Sequence, residues 1–368
     1  MVKFITMAPT SGDGTSISTG NAGWTTAKGT TQREPSFSYI KAIAEAAEAG
    51  GFTSLLLPTG AGCLDSVAVA ANLINCTQSL KFLFAVRPGV MSPTTFAKQF
   101  ATIDNWSEGR AQVNIVTGGS PKELAGYGDF LPHDDRYRRT EEYIHVLKRL
   151  FSEKEVSHAG EFYELKKATL FPALKQTGSP KIFFGGASET GKQVAANVAD
   201  VYMMWGEPLE IARERINDMK ARYARAGRQA SYSISFQVVL GKTEAEAWAN
   251  ANALVQHLAP EALEQKQQDR AKGDSVGVNR LHDLMEASRK DNFVIGPNLW
   301  AGLTQVLSGN SIALVGTADQ IADRVVEFVS LGFDKVLLRG FPHLEVITEI
   351  GADVIPRVNE RLSHAVPH

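Results

Sequence analysis

The residues equipped for chemistry fall in short polar and glycine-rich clusters, each directly after an apolar run. In chain order they are Pro9-Thr10, Pro58-Thr59-Gly60, Arg87-Pro88, Asn114 with Thr117-Gly118-Gly119, Gly185-Gly186-Ala187-Ser188, Trp205-Gly206-Glu207, Ser235 with Gln237, and Arg339 to His343. The Gly185–Ser188 cluster precedes a helical segment, so its backbone N–H groups can approach an anion at a helix N-terminus. The same four residues also suit a tight turn that binds nothing. Arg136 and Tyr137 read as opening a helix after the polar loop 133–135, where they are either further phosphate donors or a solvated helix start. Together the two clusters suggest a cofactor phosphate and not a phosphoryl-transfer centre. Neither a P-loop nor a G-x-G-x-x-G after a first strand is present.

No H-E-x-x-H, paired C-x-x-C or G-x-S-x-G occurs, so metal and serine-nucleophile chemistry has no support. Of eight histidines, His343 alone sits just past a strand-like run, in a ligand-contacting or a structural role. Cys63 either faces the pocket or fills a loop, and Trp205 is either a flat wall or core packing. Cys63 and Cys76 are too few for a disulfide framework and lack metal-like spacing, which makes a reducing cytoplasm the default expectation. A net charge of -2 argues against nucleic acid as the main partner. No apolar run is long enough to span a membrane, and the opening around Lys3 does not read as a signal peptide.

Eight elements must position these clusters. Apolar runs at 3–9, 52–59, 81–88, 111–117, 181–184, 201–204, 232–240 and 335–338 alternate with segments of helical period. Continuous apolar runs imply strands covered on both faces, hence parallel, and eight βα units favour closure into a (β/α)8 TIM barrel in one domain, 1–368. An open doubly wound sheet is the alternative. Segment 259–300, rich in Gln, Lys, Asp and Asn, reads as an insertion before the eighth strand, either a mobile active-site lid or an ordinary surface excursion.

With the clusters in this order, the chain resembles the luciferase-like flavin monooxygenases, most closely the FMNH2-dependent alkanesulfonate monooxygenases, over nearly its whole length. The stretches that carry the resemblance include PTSGDG at 9–14, LLPTGAGCLDS at 56–66, GRAQVNIVTGGSPKELAGYG at 109–128 and HDDRYRRTEEY at 133–143. FFGGASE at 183–189, YMMWGEP at 202–208, DNFVIGPNLWAG at 291–302 and GFPHLE at 340–345 follow. The resemblance implies a two-component system. A separate NAD(P)H-dependent reductase supplies FMNH2, which reacts with O2 to a C4a-(hydro)peroxyflavin that oxygenates a small organic substrate. By position, Thr59, Gly60, Asn114, Glu123, Arg136, Tyr137 and Ser188 would meet the FMN. Cys63, Trp205 and His343 match catalytic positions, and 259–300 matches a mobile loop. Relatives are often dimers or tetramers, so a homo-oligomer is expected.

The substrate side departs from the pattern. The Arg-x-His pair of the sulfonate enzymes is replaced by Ser235 and Gln237, and their tyrosine by Phe341. Their first-loop histidine is replaced by Ser11, and their loop arginine falls at Lys290 or the adjacent Arg289. A buried anion needs a charged partner. The expectation is therefore a less anionic substrate, or an anion held by Arg289, Lys290, Arg87 or Arg339. An F420-dependent oxidoreductase and a non-catalytic flavin-binding protein are the competing readings.

Overall fold

The computed structural model describes residues 2–14, 32–256, 258, 263–264, 268 and 273–364. Eight parallel strands form a closed cylinder: β1 (Lys3–Met7), β2 (Ser54–Leu57), β3 (Lys81–Val86), β4 (Ala111–Ile115), β5 (Ile182–Phe184), β6 (Val201–Trp205), β7 (Ser231–Leu240) and β8 (Lys335–Arg339). Each pairs with the next in sequence. β8 closes on β1 through Lys3↔Lys335 to Ile5↔Leu337, and β6 pairs with β7 from Val201↔Ser231 to Trp205↔Ser235. The eight apolar runs are thus the eight barrel strands, and the open-sheet alternative falls.

Alternation along the strands sorts the side chains into two layers. Ile5, Leu56, Leu83, Phe183, Val201 and Leu337 fill the inside of the cylinder, with Met7 and Met203 above them. Such a side chain stabilises the fold by roughly 1.5–3 kcal/mol when fully buried. The opposite faces pack outward on the helices, as where Phe84 meets Phe96 and Phe100 at ring separations of 6.0 and 5.6 Å. These helices are α1 (Phe37–Ala49), α2 (Ser66–Leu73), α3 (Pro93–Trp106), α4 (His133–Ser152), α5 (Glu189–Val198), α6 (Leu209–Arg225), α7 (Ala318–Ser330) and α8 (His343–Glu349). Their starts obey local rules. Ser92 caps α3 with Pro93 in its first turn, and Thr317 and Gln320 form a reciprocal capping box on α7.

Two boundaries differ from the sequence reading. Helix α4 begins at His133, so the expected polar loop 133–135 is its first turn, and Arg136 and Tyr137 lie inside the helix. Asp134 and Asp135 suit the positive end of the helix dipole, which favours helix over loop there. The second difference lies between β7 and β8. The ten-residue β7 outruns the barrel, and its end, Gln237–Leu240, pairs with a further parallel strand at Ala313–Gly316. That strand carries an antiparallel extension, Leu299–Trp300 and Val294–Gly296. Part of the expected insertion, residues 259–262, 265–267 and 269–272, lies outside the described residues. Its remainder includes the helix Val276–Ala287.

Candidate active site

The C-terminal strand ends bring the polar clusters to one mouth, as expected of a barrel. One side is built for an anion. Phe184 ends β5, the Gly185-Gly186 turn follows, and Ser188 caps α5 by accepting from the Gly191 amide at 3.1 Å. Gly191 is the meeting point: a side chain there would lie 2.8 Å from Tyr137 Cε1 and 3.1 Å from Ser188 Oγ. Tyr137 is wedged edge-on against Phe184, and burial pushes its hydroxyl pKa up, partly offset by Ser188 and Arg136. Arg136 is 2 % exposed. Its guanidinium donates to Leu131 O at 2.8 Å and to Asp274 Oδ2 at 2.5 Å, while its Nε and Asp274 Oδ1 have no partner. Tyr137, Ser188, Arg136 and the α5 N-terminus therefore converge, and Asp274, which precedes the Ser275 N-cap of the helix Val276–Ala287, holds the arginine.

The β2–β4 side is knitted by Glu123. Its carboxylate accepts from Arg87 Nη2 at 3.1 Å and from the Ala61 amide at 2.6 Å. A side chain on Gly60 would lie 3.2 Å from Glu123 Oε1 and 3.7 Å from Cys63 Sγ, so Thr59, Gly60, Cys63, Arg87 and Glu123 share one corner. Asn114 projects inward above Gln112 on β4, partly exposed at the mouth. Cys63 is half-buried, and desolvation raises its thiol above the ordinary value, so it stays protonated at neutral pH.

The far side holds the substrate-position residues. His343 Nδ1 bonds Asp13 Oδ1 at 2.8 Å, and the His343 amide donates to Asp13 Oδ2 at 2.7 Å. The Tyr39 hydroxyl also donates to Asp13, and Arg33 links Tyr39 to Glu345. Burial alone would raise the Asp13 pKa, but the His343 charge and these donors hold it below the ordinary carboxylate value. His343 is 1 % exposed and its Nε2 has no partner. Phe341 stacks edge-on against His343 at 4.9 Å. Ser235 Oγ donates to Met204 O at 3.2 Å, and Gln237 Nε2 donates to Asn310 O at 2.8 Å, leaving its Oε1 without a partner. Trp205 stands at the end of β6 between two chain segments. A side chain on Gly277 would come within 2.8 Å of its ring, and one on Gly309 within 2.5 Å, so glycine is required for both to close on the indole. Trp205 is thus a packed wall at the mouth, roofed by the helix Val276–Ala287.

The expected sites separate under this geometry. Thr59, Gly60, Cys63, Asn114, Glu123, Arg136, Tyr137, Ser188, Trp205, Ser235, Gln237, Phe341 and His343 all stand at the mouth, and Ser11 lies in the β1 loop beside Asp13. Arg289 does not join them in this structure. Its side chain is 58 % exposed and paired with Glu286 at 2.7 Å, over the Phe293 ring, and Lys290 is exposed beside it. Sequence reasoning gave no role to Asp13, Tyr39 or Asp274. Asp13 lies within the PTSGDG stretch, yet its partner is 330 residues away. The donor set fits a flavin: Tyr137, Ser188 and Arg136 suit a phosphate on one side, and buried polar atoms of Arg87, Gln237 and His343 lack partners around the rest of the mouth. No group of three or more His, Cys, Asp or Glu among the described residues is arranged to hold a metal.

Known structures share the architecture. EDTA monooxygenase from Chelativorans sp. BNC1 superimposes with a TM-score of 0.76 at 18 % identity, covering 100 % of this chain and 95 % of that one. Riboflavin lyase, solved with a modified FMN and riboflavin, gives 0.79 at 20 % identity, covering 98 % and 92 %. A long-chain alkane monooxygenase gives 0.77 at 20 %, covering 98 % and 91 %. Residues 14–335 match the model of the luciferase-like monooxygenases, a span that takes in β2 to β7 and stops at Lys335, the first residue of β8. The chain belongs to the luciferase-like monooxygenase family.

Proposed function

We propose that this protein is the oxygenase of a two-component system: it takes reduced FMN from a separate NAD(P)H-dependent reductase and inserts one atom of O2 into a small organic substrate. The observation that carries this reading is the phosphate niche of Tyr137, Ser188, Arg136 and the α5 N-terminus, set across the mouth from the unpartnered His343 Nε2. Bound reduced flavin supplies the electrons that activate O2. The protein does the rest. Tyr137, Ser188 and Arg136 hold the phosphate, and the corner of Thr59, Gly60, Asn114 and Glu123 orients the ring. The helix Val276–Ala287 and Trp205 exclude water, which strengthens every charge interaction inside. His343, oriented through Nδ1 by Asp13, presents Nε2 to the substrate as an acid–base group. A homo-oligomer in the cytoplasm completes the reading; among the described residues no helix is long and apolar enough to cross a membrane.

Anaerobic titration with reduced and with oxidised FMN, followed by 18O2 and a panel of organosulfur and other small organic probes, tests it. The expected result is tighter binding of the reduced form and 18O in one product. Equal weak binding of both forms with no labelled product overturns the reading, and tight binding of F420 without O2 consumption replaces it with hydride transfer. Asp274→Asn, which removes the charge competing for Arg136, should tighten FMN binding several-fold, about 1 kcal/mol.

A further inference from the structure

Four arginines, Arg87, Arg136, Arg139 and Arg339, each bury a guanidinium nitrogen that has no hydrogen-bond partner. Three of them still have a carboxylate: Arg87 has Glu123 at 3.1 Å, Arg136 has Asp274 at 2.5 Å and Arg139 has Asp129 at 2.5 Å. Arg339 has none among the described residues. Its Nη1 touches Met7 Sδ at 3.4 Å, its plane lies 5.8 Å over the Phe341 ring, and its Nε is orphaned. The nearest carboxylate in charge terms is Asp13, whose two oxygens already take His343 Nδ1, the Gly14 and His343 amides and the Tyr39 hydroxyl. Residues 15–31, which follow Gly14 in the chain, contain no Asp or Glu.

A guanidinium cannot escape burial by losing its proton near neutral pH, and an unpaired buried charge is costly. Desolvation lowers the Arg339 pKa to about 10, with Asp13 and Cys63 opposing, so the group remains cationic at pH 7. Alternation on β8 puts Leu337 inside the barrel and therefore Arg339 inside at its rim, opposite Gln237 in register. Gln237 is one of the places where the alkanesulfonate pattern would carry a charged or proton-handling residue. The cation missing from β7 stands on the adjacent strand instead.

We infer that Arg339 is the receptor for an oxyanion on the substrate, a carboxylate or sulfonate, whose apolar body lies against Met7, Phe341 and Trp205. Arg289 is turned outward onto Glu286 and Arg87 is spent on Glu123, so among the described residues Arg339 is the cation that the pocket has free to offer. The Gln237 amide beside it, with Nε2 fixed on Asn310 O, is the neutral neighbour. This assignment rests on the oxygenase reading, since it places the substrate across the mouth from the flavin niche.

The test is a binding titration followed by tryptophan fluorescence on protein preloaded anaerobically with reduced FMN. The probes are octanesulfonate, octanoate and the neutral methyl octyl sulfone, against wild type, Arg339→Met and Arg339→Lys. The expected result is that one or both anions bind wild type at least about tenfold more tightly than the sulfone, and that Arg339→Met weakens anion binding roughly thirtyfold or more. Sulfone and reduced-FMN affinities should stay within about twofold, with Arg339→Lys intermediate for lack of the planar fork. The two anion arms tell a sulfonate site from a carboxylate site. Arg339→Met should also melt higher than wild type, because a partly buried cation with no carboxylate among the described residues has gone; a structural arginine would do the reverse. The inference is overturned if neither anion binds, if the sulfone binds as well as the anions, or if Arg339→Met leaves anion binding intact. It is equally overturned if Arg339→Met weakens reduced FMN instead. A wild type that takes no reduced FMN defeats the oxygenase reading alone, and the same probes titrated onto flavin-free protein still decide the role of Arg339.

Discussion

At the N-terminal end of the barrel, Asp104 accepts from the Lys175 and Gln176 amides and the Gln176 side chain, at 2.7, 3.0 and 2.6 Å. Asp200 takes Lys148, Arg228 and the Ile182 amide, and Arg110 donates to Ser107 O, Thr77 Oγ1, Leu80 O and Ile74 O. At the C-terminal end, Arg87, Arg136, Arg139, Arg339 and Asp274 all keep a buried charged-group atom with no partner. Elsewhere in the described residues the unpartnered side-chain atoms belong to neutral groups, such as the Tyr143 and Tyr223 hydroxyls and the Gln99 amide. A buried charge left short of hydrogen bonds destabilises the fold, and these atoms gather at the end of the barrel where the polar strand-end clusters meet. The lower end uses its charges to tie strand starts to helix ends. The upper end pairs Arg87, Arg136 and Arg139 with carboxylates yet leaves a donor on each unused, and leaves Arg339 with no carboxylate among the described residues.

Three substitutions press on that contrast. His343→Gln keeps a donor for Asp13 while removing the titratable Nε2. Turnover of any probe that wild type oxygenates should fall by roughly 10²–10⁴-fold, with thermal stability little changed. An unchanged rate would assign the Asp13–His343 pair to structure and blur the distinction between the two ends. Asp104→Ala should do the opposite. Leaving the Lys175 and Gln176 donors stranded should cost about 3 kcal/mol in urea unfolding, with FMN affinity in the surviving folded protein unaffected.

The smallest effect is expected at Glu48, which ties α1 to the start of β3. Burial by itself would raise its pKa, but the amides of Ser79, Gln78 and Leu80 and the Ser79 hydroxyl bring it down to about 2. A carboxylate depressed in the fold contributes stability that is fully present above its unfolded value of about 4.5 and is lost as pH falls through about 2. Glu48→Gln should therefore lower the melting temperature at pH 6 slightly and flatten its fall between pH 4.5 and 2. An unaltered acid profile would show that the lower end owes nothing to this tie.

The sequence by itself determined the barrel and the membership of its mouth. Parallel strands covered on both faces must be continuous apolar runs, and a (β/α)8 chain delivers whatever follows those runs to one rim. Hence Thr59, Asn114, Ser188, Trp205, Gln237 and His343 were legible from position alone. The polarity of His133-Asp134-Asp135 reads locally as a loop, whereas in the fold these residues are the first turn of α4, where acidic side chains suit the helix N-terminus. The strand Ala313–Gly316 is not legible in sequence, because its four residues pair outside the barrel with the overhanging end of β7, which no local pattern announces. Tertiary structure alone decided which charges are already engaged. Asp13 finds His343 from 330 residues away, Asp274 reaches Arg136 from 138 away, and Arg289 turns back to Glu286 in the last turn of the preceding helix. Partner choice depends on which distant chain segments the closed barrel brings within hydrogen-bond reach, so four arginines that look equivalent in sequence end with three carboxylates among them and Arg339 without one among the described residues.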